Sequence, residues 1–207
     1  MADAERTQER LENIRTVQPI VSALRTISLG SWQAALKRLK GLQTYSDRLQ
    51  GILLLLAPHL PKRRWDWLPF SLGKKQASKT TSERDLALVI GSERGLCGGF
   101  NDTVVARAQA YCEEHPETEL WVLGARAERL LRRAEREVAW SASLATSALP
   151  PFALAFNLTR RWLSAFEDET LDTVHVIYNA YHGAGRYEPT VVSLIPPEPP
   201  STESASG

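Results

Sequence analysis

The chain has 207 residues, a length that fits one domain with an appendage. Its 43% hydrophobic and 24% charged residues exclude a wholly disordered polymer, and a formal net charge of +1 gives no global field for nucleic acid or anionic lipid. Two cysteines, Cys97 and Cys112, are too few for a disulfide scaffold and match no metal-ligand spacing.

Met1 to Arg10 is polar and carries Asp3, Glu5 and Glu9, so neither a secretory signal nor a transit peptide is expected there. The longest apolar run, Ile52 to Ala57, is far short of the roughly 20 residues that span a bilayer. The expectation is a protein of a reducing compartment that meets membranes only through partners.

Residues 1–57 read as one long shaft helix. A heptad seam runs Leu11, Ile14, Gln18, Val21, Arg25, Ser28, Trp32, Ala35, Leu39, Leu42, Ser46, Leu49, Leu53, Leu56, and ten of these fourteen positions are apolar. Leu24 flanks the seam. A seam sustained over several heptads is a coiled-coil signature. About 50 helical residues extend roughly 75 Å, more than twice the diameter of a small domain. Burying one such side chain is worth about 1.5–3 kcal/mol, so a helix of this length needs a partner along it. Pro19 predicts a kink or a restart, since an interior proline costs about 3 kcal/mol. Gly30, Gly41 and Gly51 weaken the helix further.

Residues 58–84 read as a variable loop. It carries Lys62, Arg63, Arg64, Lys74, Lys75 and Lys79, with Trp65 and Trp67 between the basic clusters. Stacking of those tryptophans on single-stranded nucleic acid is the sharp reading. Without an RNA-binding motif, a solvated or partner-docking loop is preferred, and no nucleic acid partner is expected.

Residues 85–196 carry an α/β pattern. Strands are expected at Asp85–Ile90, Glu119–Leu123, Glu137–Leu144, Thr173–Tyr181 and Thr190–Ile195. Helices are expected at Asn101–Glu114 (capped by Asn101 or Asp102), Ala125–Ala134 and Pro151–Phe166. The alternation, ending in a hairpin, predicts a Rossmann-like, mostly parallel sheet with flanking helices and an antiparallel edge. Residues 197–207, rich in proline, serine and glutamate, read as a disordered tail.

The most distinctive string is Gly91 to Asn101, G-S-E-R-G-L-C-G-G-F-N, a strand-to-helix turn with four glycines. Such a turn can cradle phosphate. However, neither G-x-x-x-x-G-K-[ST], G-x-G-x-x-G nor G-x-S-x-G is present, so a packed structural turn is the better reading. The scattered histidines, His59, His115, His175 and His182, have no metal-site spacing. Arg126, Arg129, Arg132, Arg133 and Arg136, interleaved with Glu128, Glu135 and Glu137, read as a solvated face with i, i+3 and i, i+4 pairs, or as a dock for an acidic loop. Cys97 reads as a small turn residue beside Arg94. No catalytic, cofactor-binding or metal site is expected.

Arg94, Gly95, Leu96, Cys97, Gly98, Gly99 and Asn101 resemble the signature turn R-G-L-C-G-G-x-N of F-type ATP synthase gamma subunits. Ile14 to Ser28 is similar to that family's first helix, and Ile177-Tyr178-Asn179 with Pro189-Thr190-Val191 to its last strands. The resemblance implies a non-catalytic central-stalk rotor shaft. It would couple ion flow through a ring of c subunits to ATP synthesis or hydrolysis on a hexamer of alpha and beta subunits. Alpha, beta, epsilon and c-ring are the implied partners, and the implied location is peripheral, on the cytoplasmic face of the bacterial inner membrane. The shaft-helix partner seam is carried by Leu11, Ile14, Val21, Leu24, Trp32, Leu39, Leu42 and Leu49. The family continues after Pro196 with a second long helix, whereas this sequence ends at Gly207. The alternative is therefore a shortened gamma-like chain that binds helices or aids assembly without transmitting torque.

Overall fold

The computed structural model describes residues 2–56, 84–95, 97–144, 150–183 and 185–195. The loop expected at 58–84, apart from Arg84, the tail expected at 197–207, and Leu96 of the signature turn lie outside the described residues. The described elements are α1 (Ala2–Leu56), β1 (Asp85–Ile90), α2 (Phe100–Glu114), β2 (Glu119–Leu123), α3 (Ala125–Arg133), β3 (Trp140–Ala142), α4 (Phe152–Glu167), β4 (Thr173–Tyr181) and β5 (Tyr187–Ile195). The long helix and the α/β domain are separate compact units.

Helix α1 is one element of 55 residues, about 80 Å long at 1.5 Å per residue, and it does not end at Pro19. Proline lacks one N–H and so removes a single i→i−4 bond, to the Arg15 carbonyl, and the helix runs on through it. Thr16, Thr26 and Thr44 return their hydroxyls to the carbonyls of Glu12, Ser22 and Lys40. These polar side chains therefore settle on their own helix.

The domain is a five-stranded sheet in the order β3-β2-β1-β4-β5. β3, β2, β1 and β4 pair in parallel, and β5 runs antiparallel to β4 as the expected edge. The apolar run of β1 is explained by burial on both faces. Ala87 and Val89 join Val104, Ala108, Val122, Ala127, Leu131 and Ile177 in the layer under α2 and α3. Leu86 and Leu88 join Trp121, Leu123, Leu158, Trp162, Val174 and Val176 in the layer under α4. The alternation within one strand follows the two-residue pleat.

α3 and α4 differ from the sequence expectation by one residue at their ends, and three other elements differ for identifiable reasons. β3 is only Trp140–Ala142, because it pairs on one side and only along Trp121 to Leu123. β5 starts at Tyr187, three residues early, because it zips against β4 as far as Tyr181. α2 starts at Phe100 after Gly99, without a side-chain cap. The expected cap, Asn101, is one turn position inside the helix, and its side chain is used elsewhere.

Candidate functional site

The glycine turn sits at the carboxyl end of β1, and its polar groups are consumed by its neighbours. Asn101 is 2% exposed, and its Oδ1 accepts the Ser92 backbone N–H at 2.9 Å. Its amide nitrogen donates to Ser92 Oγ at 2.8 Å and to Cys97 Sγ at 3.2 Å. Ser92 Oγ in turn donates to the Arg94 carbonyl at 2.5 Å. Asn101 thus does the work of a cap from inside the helix, by fixing the turn rather than the helix start.

A second tie comes from Glu93. Its Oε2 accepts the Ala125 N–H at 3.2 Å and the Leu144 N–H at 2.9 Å. Those backbone bonds hold its carboxyl below the usual range, led by Leu144 and then Ala125. One carboxylate therefore joins the turns that follow β1, β2 and β3, and it sits at the amino end of α3, where negative charge is favoured.

Close packing accounts for two glycines. A Cβ at Gly91 would stand 2.3 Å from the Ala127 Cβ. Gly124 has φ +105°, and a Cβ there would lie 2.8 Å from the Ser92 carbonyl oxygen. Backbone bonds seal the joint, from Gly91 N to Leu123 O at 2.9 Å and from Arg126 N to Ser92 O at 3.1 Å. Gly98 takes φ +57° in the turn itself. Gly95 lies against the Arg126 side chain. Arg94, Gly95, Cys97, Gly98, Gly99 and Asn101 thus form a joint between crossovers.

On α3, Arg132 pairs with Glu128 at 3.0 Å, as i, i+4 spacing predicts. Arg136 reaches Glu113 of α2 at 3.4 Å rather than a neighbour on its own segment, because it follows the helix end.

At the opposite edge of the sheet lies a cluster that sequence reading missed. Asp85, 7% exposed, opens β1. Its Oδ2 accepts from Tyr111 Oη at 2.7 Å and Thr118 Oγ1 at 2.8 Å. Its Oδ1 accepts from Thr173 Oγ1 and from His175 Nδ1, the latter at 3.0 Å. An ionised carboxylate only accepts, so the network places the imidazole proton on Nδ1. Burial pushes this carboxyl up, but the four donors, led by His175 and Thr173, outweigh it and leave it well below the usual carboxylate range. The available signal was an acid opening an otherwise apolar strand.

The seam residues of α1 are exposed, from 38% at Leu24 to 66% at Ile14, with Leu11, Val21, Trp32, Leu39, Leu42 and Leu49 between. Val17, Ile20, Ile27, Leu36 and Tyr45 are exposed too, outside the heptad positions. The apolar surface is therefore broader than a two-position stripe. Among the described residues, no three His, Cys, Asp or Glu side chains gather as a metal site, and no helix is long and apolar enough to cross a membrane.

These features define a two-part scaffold, a long helix with a broad apolar surface and an α/β domain whose crossovers are tied at both sheet edges. A family model described as ATP synthase matches residues 3–206, and the chain belongs to that family. The gamma chain of a Synechococcus strain is 27% identical over 203 residues, covering 96% of this chain and 62% of that relative. The gamma chain of Thermosynechococcus vestitus is 27% identical over 210 residues, covering 99% of this chain and 64% of that relative. This chain spans less than two thirds of the length of these curated relatives. A chain of the Tetrahymena thermophila mitochondrial ATP synthase central stalk and c-ring matches with TM-score 0.61 at 17% identity, covering 84% of this chain and 71% of that one, which shows a shared fold.

Proposed function

We propose that the chain acts as a non-catalytic gamma-type central-stalk subunit of a proton-translocating F-type ATP synthase. In this reading residues 1–57 are the shaft and residues 85–196 the foot. The foot meets an epsilon subunit and the c-ring, and the shaft meets the alpha and beta subunits. The location is then peripheral, at the cytoplasmic face of a bacterial inner membrane. The observation that carries this reading is α1, which extends far beyond what a small domain can cover and exposes apolar side chains along most of its length. Relatives named as gamma chains support the assignment.

The test is complementation of membranes whose own gamma subunit is deleted. ATP-driven proton uptake, read by quenching of a pH-sensitive dye, is expected to return with this chain. It is expected to fall at least tenfold when Leu39 and Leu42 are both replaced by Asp. If the chain is recovered with alpha and beta subunits but restores no pumping, it is the shortened gamma-like binding module. If neither subunit is recovered with it, the stalk reading is wrong.

A further inference from the structure

Two segments distant in the sequence, the glycine turn with Asn101 and the strand run Ile177-Tyr178-Asn179, meet at the amino end of α2. β4 lies beside β1 in the sheet, so its carboxyl end comes up against the first turn of the helix that follows β1. There the Asn179 amide nitrogen donates to the Phe100 carbonyl at 2.6 Å. Asn179 Oδ1 lies 3.3 Å from Thr103 Oγ1, across 76 positions of chain. The Phe100 ring stands edge-on to Tyr187 of β5, with centroids 5.2 Å apart. Tyr187 is the register partner of Tyr181, where the β4–β5 hairpin closes. The first residue of α2 is therefore held by β4 through its carbonyl and by β5 through its ring.

The next residue reaches the other way. Asn101 binds Ser92 and Cys97, so its side chain is spent on the glycine turn, and α2 starts without a side-chain cap. The Thr103 hydroxyl has one proton to share between the Phe100 carbonyl at 3.0 Å and Asn179. Asn179 is then the side chain that carries a directed bond from the hairpin into the first turn of α2. Hydrogen bonds fix position as well as contact, and segments joined in this way open as one local unit rather than separately. We infer that the β4–β5 hairpin and the glycine turn form one conformational unit with Asn179 as its link. Displacing the closed end of the hairpin moves the first turn of α2 and, through Asn101, the turn after β1. A partner that grips the hairpin thereby acts on the joint between the crossovers.

The inference does not depend on the stalk reading, and its test uses the isolated full chain. Amide exchange is followed by NMR at three reporters. They are Ser92, whose N–H is held by Asn101, Thr103, whose N–H bonds the Gly99 carbonyl, and His182, whose N–H bonds the Arg186 carbonyl in the hairpin. Val89 and Val122, both fully buried in the central strands, are the references. Asn179→Leu removes both polar atoms at similar volume. It is expected to speed exchange at all three reporters about tenfold while the references stay unchanged. Tyr187→Ala, a change in the hairpin alone, is expected to speed Thr103 and Ser92 as well. Faster exchange confined to His182, or no change at any reporter, overturns the link. A rise of equal size at Val89 and Val122 overturns it too, because Asn179 then only adds to global stability.

Discussion

Replacing Asp85 by Asn tests whether the polar cluster holds the amino edge of the sheet. The substitution keeps shape and volume, but one carboxylate oxygen becomes an amide that donates. In the native chain Oδ1 serves Thr173 and His175, and Oδ2 serves Tyr111 and Thr118. Whichever way the amide turns, two donors lose their acceptor. Each hydrogen bond to a charged group is worth about 1.5–3 kcal/mol, and the losses are not additive, so about 2–4 kcal/mol is expected at pH 7. For a domain of this size that is a Tm lower by about 8–20 °C. The pH dependence has a definite sign. The folded-state carboxyl lies below the unfolded value of about 3.9, so the unfolded chain takes up the proton first. The contribution is then complete above about pH 5 and is lost as pH falls. Urea melts followed by circular dichroism between pH 7 and pH 3 are the assay. Asp85→Asn is expected to lower the plateau and flatten the acid limb. A change below about 0.5 kcal/mol at pH 7, with an unaltered acid limb, refutes the reasoning.

Three further outcomes follow from the same contacts. Glu93→Gln is expected to speed amide exchange at Ala125 and Leu144 and to cost about 1–2 kcal/mol, read by hydrogen–deuterium exchange and melts, because both N–H groups lose a charged acceptor. Gly124→Ala is expected to cost at least about 2 kcal/mol by denaturant melt, since its Cβ meets backbone at 2.8 Å and its φ is +105°. Leu131→Ala, at a side chain with 0% exposure, is expected to cost about 2–5 kcal/mol in the same melt through the cavity it leaves.

The elements with strong local patterns were legible in the sequence. The β1 run, the α2 and α3 helices and β4 all appear within one residue of the expected bounds, because burial on two faces or one stripe writes itself into residue type. Asn101 was legible as important but not in its role. A helix cap and a side chain that folds back from the first turn use the same residue type, and only the position of Ser92 distinguishes them. The length of β3 depends on how far its single neighbour extends, which no local pattern records. The Asp85 cluster joins residues separated by up to 90 positions, so it exists only after β1, α2 and β4 are brought together. Glu93 is similar, since its partners are backbone N–H groups whose residue types are irrelevant to the bond.

The two carboxylate ties also bear on what a stalk foot must do. A foot that passes torque to a shaft works only if its strands and crossovers do not shear past one another. Apolar contacts resist separation of layers but discriminate weakly between nearby registers, because they are non-directional. Directed hydrogen bonds to an ionised acceptor fix position as well as contact. Asp85 joins β1 to β4, to α2 and, through Thr118, to the start of β2, all at the amino edge. Glu93 and Asn101 bind the crossovers at the carboxyl edge. The sheet is thereby pinned at both ends of its central strand. On the proposed stalk reading, loosening either tie lowers the coupling of ATP turnover to proton uptake before it unfolds the domain. Asp85→Asn and Glu93→Gln, assayed well below their Tm, are thus expected to lose proton uptake while the assembled complex continues to hydrolyse ATP.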